Sequence, residues 1–162
     1  MSKILFVCTG NICRSLSAEA VLKRLVKQEK LSRQITVDSA VIGDTYIGQG
    51  PDQRALRAAT KRGYDLSSAV NRSIQAQDFI DYDLILCMDW DNMLWLQQRC
   101  PAMHQHKLML LMRFATDHVE ACVPNPANGG TEAFNKVLLL LEDACKGVLA
   151  LTKRRLSLHV TA

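Results

Sequence analysis

The stretch Ile4-Leu5-Phe6-Val7-Cys8-Thr9-Gly10-Asn11-Ile12-Cys13-Arg14-Ser15 decides how this chain folds. It opens with an apolar run that ends in a cysteine, which is the pattern of a buried strand. A tight turn follows, and a helical pattern begins near Ser15. A helix that starts directly behind a strand points its unpaired N–H groups at the loop between them, and this arrangement binds anions. We therefore predict a phosphate-binding loop formed by Thr9, Gly10, Asn11, Ile12, Cys13, Arg14 and Ser15.

The spacing of a cysteine and an arginine suggests the chemistry of this loop. Five residues separate Cys8 from Arg14, so one loop can curl around a tetrahedral oxyanion with the sulfur below it and the guanidinium on its rim. A thiol near a helix N-terminus and beside an arginine has a lowered pKa, which predicts a thiolate at neutral pH. A thiolate facing a bound phosphate is placed for in-line attack on phosphorus.

Strand and helix patterns alternate along the rest of the chain. We predict strands over residues 3–8, 34–38, 83–88 and 107–114, and helices over residues 15–30, 51–62, 89–98 and 132–151. Two strands joined by one helix form a right-handed parallel unit. The predicted fold class is therefore α/β, an open parallel four-stranded sheet with helices on both faces. Ligands of such sheets bind beyond the carboxyl ends of the strands, where the Cys8 loop lies.

Length and composition set the remaining expectations. The 162 residues fit one domain, residues 1–162, with a basic tail over about residues 152–162 that we expect to be flexible. No apolar run reaches the length of a membrane span, and the N-terminal run is too short for a signal peptide. We therefore expect a cytoplasmic protein without a membrane partner.

The cysteine spacing and the distribution of charge argue against bound zinc and against nucleic acid as a partner. The six cysteines are expected to be free thiols, and no CxxC pair or suitably spaced histidine indicates zinc. The net charge of +4 comes from the C-terminal end, which carries Lys146, Lys153, Arg154 and Arg155 and no acid after Asp143. A broader basic stripe with interleaved aromatic residues would be needed for nucleic acid, so none is predicted as a partner.

The loop sequence from Val7 to Ser15 resembles the signature loop of the low-molecular-weight protein-tyrosine phosphatases. Further segments match that family at the right intervals: Val37-Asp38-Ser39-Ala40, Gly50-Pro51-Asp52 with Arg54, Asp78-Phe79, Tyr82-Asp83 and Cys87-Met88-Asp89. The resemblance implies a cytoplasmic hydrolase that works through a cysteinyl-phosphate intermediate without metal or cofactor. Its substrate would be a phosphotyrosine-containing protein or a small aryl phosphate, and it would be a monomer or weak dimer.

The same resemblance implies a role for each matching residue of the loop. Cys8 would be the nucleophile, and Arg14 would hold the phosphate and stabilise the charge of the transition state. Ser15 would donate a hydrogen bond to the sulfur and make it a better leaving group. Asn11 and Gly10 would hold the loop in its unusual backbone shape.

One segment departs from the family pattern. The family carries an Asp-Pro pair followed by two tyrosines, and its aspartate protonates the leaving phenol. Here the segment reads Val123-Pro124-Asn125-Pro126-Ala127-Asn128-Gly129, so an amide occupies the acid's place and no ring follows it. Loss of a general acid costs about 10²–10⁴ in rate, which predicts a slow enzyme. Asp117 and Glu120 are the nearby acids that could substitute, and Tyr46 is a candidate aromatic wall for the substrate.

Two alternatives are compatible with these residues. The first is a catalytically weak or inactive pseudophosphatase that binds phosphorylated ligands, because Asn125 cannot supply a proton. The second is a thiol-dependent arsenate reductase, which resembles this family in loop and fold but needs further cysteines for a disulfide relay. Cys87 and Cys100 are the candidates for that relay, although no paired redox segment is evident.

Overall fold

The computed structural model describes residues 1–10 and 14–160, with side chains described through residue 158. Four strands form one sheet in the order β2-β1-β3-β4, and every neighbouring pair is parallel. The strands are β1 (Ser2–Thr9), β2 (Ile35–Ile42), β3 (Leu84–Cys87) and β4 (Leu108–Leu110). The helices are α1 (Arg14–Gln28), α2 (Gln53–Lys61), α3 (Ala76–Asp81), α4 (Trp90–Arg99) and α5 (Thr131–Val160). The predicted open parallel sheet is confirmed.

Helices cover both faces of this sheet, as predicted. Alternate residues of β1 point to opposite faces. Ile4, Phe6 and Cys8 pack in one core cluster with residues of α1 and α5, whereas Leu5 and Val7 pack in a second cluster with residues of α4. The strand β1 pairs with β3 as far as Val7 and with β2 as far as Thr9, and these pairings fix the point where the following loop begins.

Several predicted element boundaries were wrong. Strand β2 continues to Ile42 instead of ending at residue 38, because its apolar residues Ala40 and Val41 pair with β1. The apolar run predicted as one strand over 107–114 divides into β4 and a 3₁₀ helix, Leu111–Phe114, that turns away from the sheet. Helix α3 and a 3₁₀ helix over Ala102–Lys107 were not predicted, since such short elements carry little periodicity.

Helix α5 is longer than predicted and reaches Val160, beyond the expected end at residue 151. Most of the segment predicted to be a flexible tail is therefore helical. No helix in the described part of the chain is both long and apolar enough to cross a bilayer.

A buried carboxylate on α5 fixes the segment that leads towards residues 123–130. Asp143 accepts hydrogen bonds from the backbone amides of Thr116, Asp117 and His118 and a further bond at 2.9 Å from the His118 ring. Burial acts to raise the pKa of Asp143, but the bonds from Thr116, His118 and Asp117 outweigh it and lower the pKa to about 2. This carboxylate is expected to stabilise the fold.

Replacing Asp143 with Asn is expected to lower the free energy of unfolding by about 2–4 kcal/mol at pH 7, because amide donors lose a charged acceptor. The wild-type pKa is lower in the folded than in the unfolded chain. The contribution of the ionised Asp143 to the free energy of unfolding is therefore complete above about pH 4 and is lost as pH falls towards 2. Urea denaturation at pH 7 and pH 3 measures both effects, with Asp117→Asn as the control. Equal stability of Asp143→Asn and wild type at pH 7 would contradict this role.

Candidate active site

Cys8 lies at the carboxyl end of β1 and is fully buried. Its Sγ is 3.0 Å from the hydroxyl oxygen of Ser15, and the backbone N–H of Ser15 donates to the same sulfur at 3.4 Å. Because α1 begins at Arg14, these contacts come from the first turn of the helix. The structure thus brings together the predicted nucleophile and the serine expected to stabilise it.

Arg14 is buried beside this sulfur and is held from two sides. Its Nη1 donates to the Asp89 carboxylate at 2.9 Å and to the carbonyl oxygen of Val123 at 2.7 Å. Its Nε is also buried but has no hydrogen-bond partner among the described residues. A buried donor without a partner costs free energy, and a bound oxyanion would remove that cost. Arg14, the residue predicted to bind phosphate, is therefore held in place, with its Nε unbonded among the described residues.

Burial of the Cys8 thiol acts against the predicted lowering of its pKa. Complete burial raises the pKa of the thiol, and the bonds from Ser15 together with the Arg14 charge lower it by less. The charge of Arg14 is partly neutralised because Asp89 pairs with it, and Asp89 itself raises the pKa of Cys8. The sequence-based prediction also counted on residues 11–13; the phosphate-loop roles assigned to Asn11, Ile12 and Cys13 lie outside the described residues.

Removing the Ser15 hydroxyl is expected to raise the pKa of Cys8. A hydrogen bond to a charged acceptor is worth about 1.5–3 kcal/mol, so Ser15→Ala should lower the thiolate fraction about tenfold to a hundredfold at any pH below that pKa. The rate of Cys8 alkylation by iodoacetamide, followed by mass spectrometry across pH, measures the shift. Ser17→Ala, also buried on α1, is the matched control. An unchanged profile in Ser15→Ala would show that the hydroxyl does not stabilise the sulfur.

The first turn of α4 is attached to the same loop. Asp89 is the N-cap of α4, as predicted, and accepts a bond from the Asn92 amide. The buried Asn92 side chain donates to the Thr9 hydroxyl at 3.0 Å and accepts from the Met88 amide at 3.2 Å. Neither the role of Asn92 nor the Asp89–Arg14 pair was predicted from the sequence. The Asn92–Thr9 and Arg14–Asp89 bonds each join residues more than 70 positions apart, and no local pattern encodes such contacts.

Tyr46 packs against Gly10, the last described residue before the gap in the predicted phosphate-binding loop. A Cβ atom added to Gly10 would lie only 2.9 Å from Cδ2 of the Tyr46 ring, so glycine is what allows the ring to approach this closely. Tyr46 is half-buried. Its position is compatible with the predicted aromatic wall, and that role remains a prediction.

Residues 123–130, which contain Asn125, run beside Arg14. The Val123 amide donates to the Met88 carbonyl at 2.8 Å, and Arg54 donates to the Ala127 carbonyl at 2.8 Å. Asn125 is exposed, and its side-chain oxygen accepts a bond from the Ala127 amide at 3.0 Å. The loop is thus fixed at both ends, and Asn125 shapes its turn.

Neither acid that could substitute for the missing aspartate contacts this site. Glu120 is paired with Lys136 at 2.6 Å. The exposed Asp117 is tied by its amide to Asp143. Of the carboxylates in the described part of the chain, Asp89 is the one bonded to Arg14.

The fold and this site together define an α/β protein with a buried cysteine near the end of its first strand and a buried arginine at the start of the helix that follows. A family model described as low molecular weight phosphotyrosine protein phosphatase matches residues 3–158. The chain belongs to this family, and it is an enzyme of the low molecular weight protein-tyrosine phosphatase type.

Individual relatives agree over almost their whole length. The chain is 33% identical to the low molecular weight phosphotyrosine protein phosphatase of Schizosaccharomyces pombe, over 91% of this chain and 94% of that protein. It is 33% identical to YfkJ of Bacillus subtilis, named as a low molecular weight protein-tyrosine-phosphatase, over 93% of this chain and 95% of that protein. A crystal structure of a protein tyrosine phosphatase from Entamoeba histolytica superposes with a TM-score of 0.91 at 36% identity, covering 95% of this chain and 98% of the other.

Proposed function

We propose that residues 1–162 form one phosphatase domain that hydrolyses phosphotyrosine residues or small aryl phosphates through a phosphorylated Cys8. The observation that carries this proposal is the arrangement around the sulfur. Cys8 Sγ is held by Ser15, and the buried Arg14 beside it has an Nε–H without a partner among the described residues. A phosphate bound in this loop would accept that N–H while the sulfur faces phosphorus.

The reaction would proceed in two steps. Cys8 attacks phosphorus as the thiolate, the form that the bonds from Ser15 and the charge of Arg14 favour. A P–S bond forms, and the P–O bond to the aryl group breaks. Arg14 stabilises the charge on the phosphoryl oxygens during this transfer. Water then attacks phosphorus, the P–S bond breaks, and the thiolate leaves with help from the Ser15 hydroxyl.

The proposed enzyme hydrolyses aryl phosphates slowly when the phenol that leaves has a high pKa. An exposed amide at position 125 cannot donate the proton that a poor leaving group needs. An activated aryl phosphate, whose phenolate leaves without a proton, should escape this penalty. The water step should also be slow, because the group that protonates the leaving phenol would by reversal accept a proton from water.

The proposal includes the setting predicted from the sequence. The enzyme would act in the cytoplasm as a monomer or weak dimer, without metal or cofactor and without a nucleic-acid or membrane partner. Thiol-dependent arsenate reduction is less well supported. The thiols Cys87 and Cys100 are buried and lie against the carbonyls of Met109 and Pro101, which does not favour a disulfide relay.

Stopped-flow kinetics with p-nitrophenyl phosphate tests the proposal. We expect a burst of nitrophenolate close to one equivalent per protein, followed by slow turnover. Cys8→Ser should lose both phases, whereas Cys122→Ser, which alters a half-buried thiol outside the loop, should keep them. Binding of phosphate without any nitrophenolate release would favour the pseudophosphatase instead.

A further inference from the structure

A large exposed aromatic residue lies next to the phosphate-binding loop. Trp90, the first residue of α4, is 61% exposed, and Leu94 one turn later is 56% exposed. Residues spaced by four share a helix face, so the two side chains form one apolar strip. Soluble proteins often expose single apolar residues. Tryptophan combines a large apolar surface with a polar N–H and is enriched at interfaces.

Contacts of its neighbours place Trp90 at the rim of the site. The residue before it, Asp89, pairs with Arg14 at 2.9 Å, and Asn92 two residues later donates to Thr9 at 3.0 Å. Consecutive Cα atoms are about 3.8 Å apart, so the backbone of Trp90 is one residue from a direct contact of the phosphate ligand. Because these bonds anchor the first turn of α4, the indole is attached to a fixed backbone.

The loop over residues 123–130, which runs beside Arg14, contains no aromatic residue. Ala127 and Asn128 occupy the loop beside Arg14, and Ala127 is tied to Arg54 through its carbonyl. Tyr46 covers Gly10 and supplies one ring. A substrate with an aryl group would need a second apolar surface near the loop to remove its ring from water.

We propose that Trp90 provides this surface and contacts the aryl group of the phosphorylated substrate. This inference rests on the proposed function, since it presumes that phosphate binds in the Cys8 loop. The carboxylate of Asp89, which precedes Trp90, is paired with Arg14. Selectivity for aryl over alkyl phosphates would then come from α4.

The chain offers a matched control on the same helix. Trp95 is the other tryptophan, and the Arg99 guanidinium stacks over its ring at 3.9 Å from the centroid. Trp95 packs against the core cluster on the α4 side of the sheet. Its ring is thus already engaged, and its replacement should not alter substrate contacts.

Two phosphonates that differ only in carrying an aryl or a methyl group separate the aryl contact from phosphate binding. We would measure dissociation constants of phenylphosphonate and methylphosphonate for wild type, Trp90→Ala and Trp95→Ala. An aromatic contact corresponds to about threefold to tenfold in affinity, so Trp90→Ala should weaken phenylphosphonate by that factor and leave methylphosphonate unchanged. Trp90→Phe should restore part of the loss. In Trp95→Phe, phenylphosphonate should change the fluorescence of Trp90 more than methylphosphonate does.

The outcomes separate this inference from the proposed function. If wild type binds both phosphonates but Trp90→Ala keeps the same ratio of affinities, Trp90 does not contact the aryl group. If wild type binds neither phosphonate and releases no nitrophenolate, the proposed function fails and the inference fails with it. If Trp90→Ala and Trp95→Ala weaken phenylphosphonate binding by the same factor, the loss comes from a change in the structure of α4. That result would also overturn the inference.

Discussion

Arg14→Lys is expected to lower kcat/KM for p-nitrophenyl phosphate by about 10²–10³-fold, the cost of removing one well-placed donor to a transition-state oxyanion. A guanidinium has donors in a planar fork, so Arg14 can bond Asp89 and Val123 through Nη1 while its Nε remains for phosphate. A lysine ammonium has one nitrogen and cannot hold all three groups in this geometry.

Steady-state kinetics of Arg14→Lys and Arg62→Lys provides the comparison. Arg62 pairs with Glu142 at 2.6 Å on the partly exposed side of α2 and α5, so its replacement should change kcat/KM little. Thermal unfolding of both variants distinguishes loss of catalysis from loss of fold. A decrease of less than about tenfold in Arg14→Lys would show that the orphaned Nε is not a transition-state donor.

Asn125→Asp is expected to raise kcat for phosphotyrosine by at least about tenfold, within the 10²–10⁴ that a general acid can supply when well placed. The introduced carboxyl would lie on a loop anchored by Val123 and Arg54, so it would not need a new backbone arrangement. The gain in the rate of the first step, measured in the burst, should be much smaller for p-nitrophenyl phosphate, because nitrophenolate leaves without a proton.

Rates on the two substrates across pH test this expectation. A carboxylic acid donates only when protonated, so activity of Asn125→Asp on phosphotyrosine should fall as pH rises through the pKa of the new group. The activity of the wild-type enzyme on phosphotyrosine should not show this decrease. Asn128→Asp, an exposed amide on the same loop, is the control for added charge. No gain in Asn125→Asp would mean that the leaving-group proton comes from elsewhere.

Local patterns were enough to predict the sheet and the position of the loop. The apolar run of β1 and the helical pattern that begins near Ser15 are encoded in neighbouring residues, and the structure confirms their order. The apolar run over 107–114 was misread because a strand and a 3₁₀ turn share the same composition. Only tertiary packing decides where such a run leaves the sheet.

The environment of Cys8 could not be predicted in the same way. Arg14 meets Asp89 and Val123 at separations of 75 and 109 residues, and no local spacing encodes those bonds. The burial of the sulfur depends on how completely the surrounding elements cover it, and this burial acts against the lowering of the Cys8 pKa that the sequence predicted. A spacing rule identifies the residues, whereas the electrostatic balance needs the assembled core.

The most direct test of the account is the identity of the phosphorylated residue during turnover. Wild type would be quenched in acid within the burst with p-nitrophenyl phosphate, and the attached phosphate located by mass spectrometry. The account predicts close to one phosphate per protein on the Cys8 sulfur, with none in Cys8→Ser. Phosphate on another residue, or undiminished hydrolysis by Cys8→Ser, would contradict it.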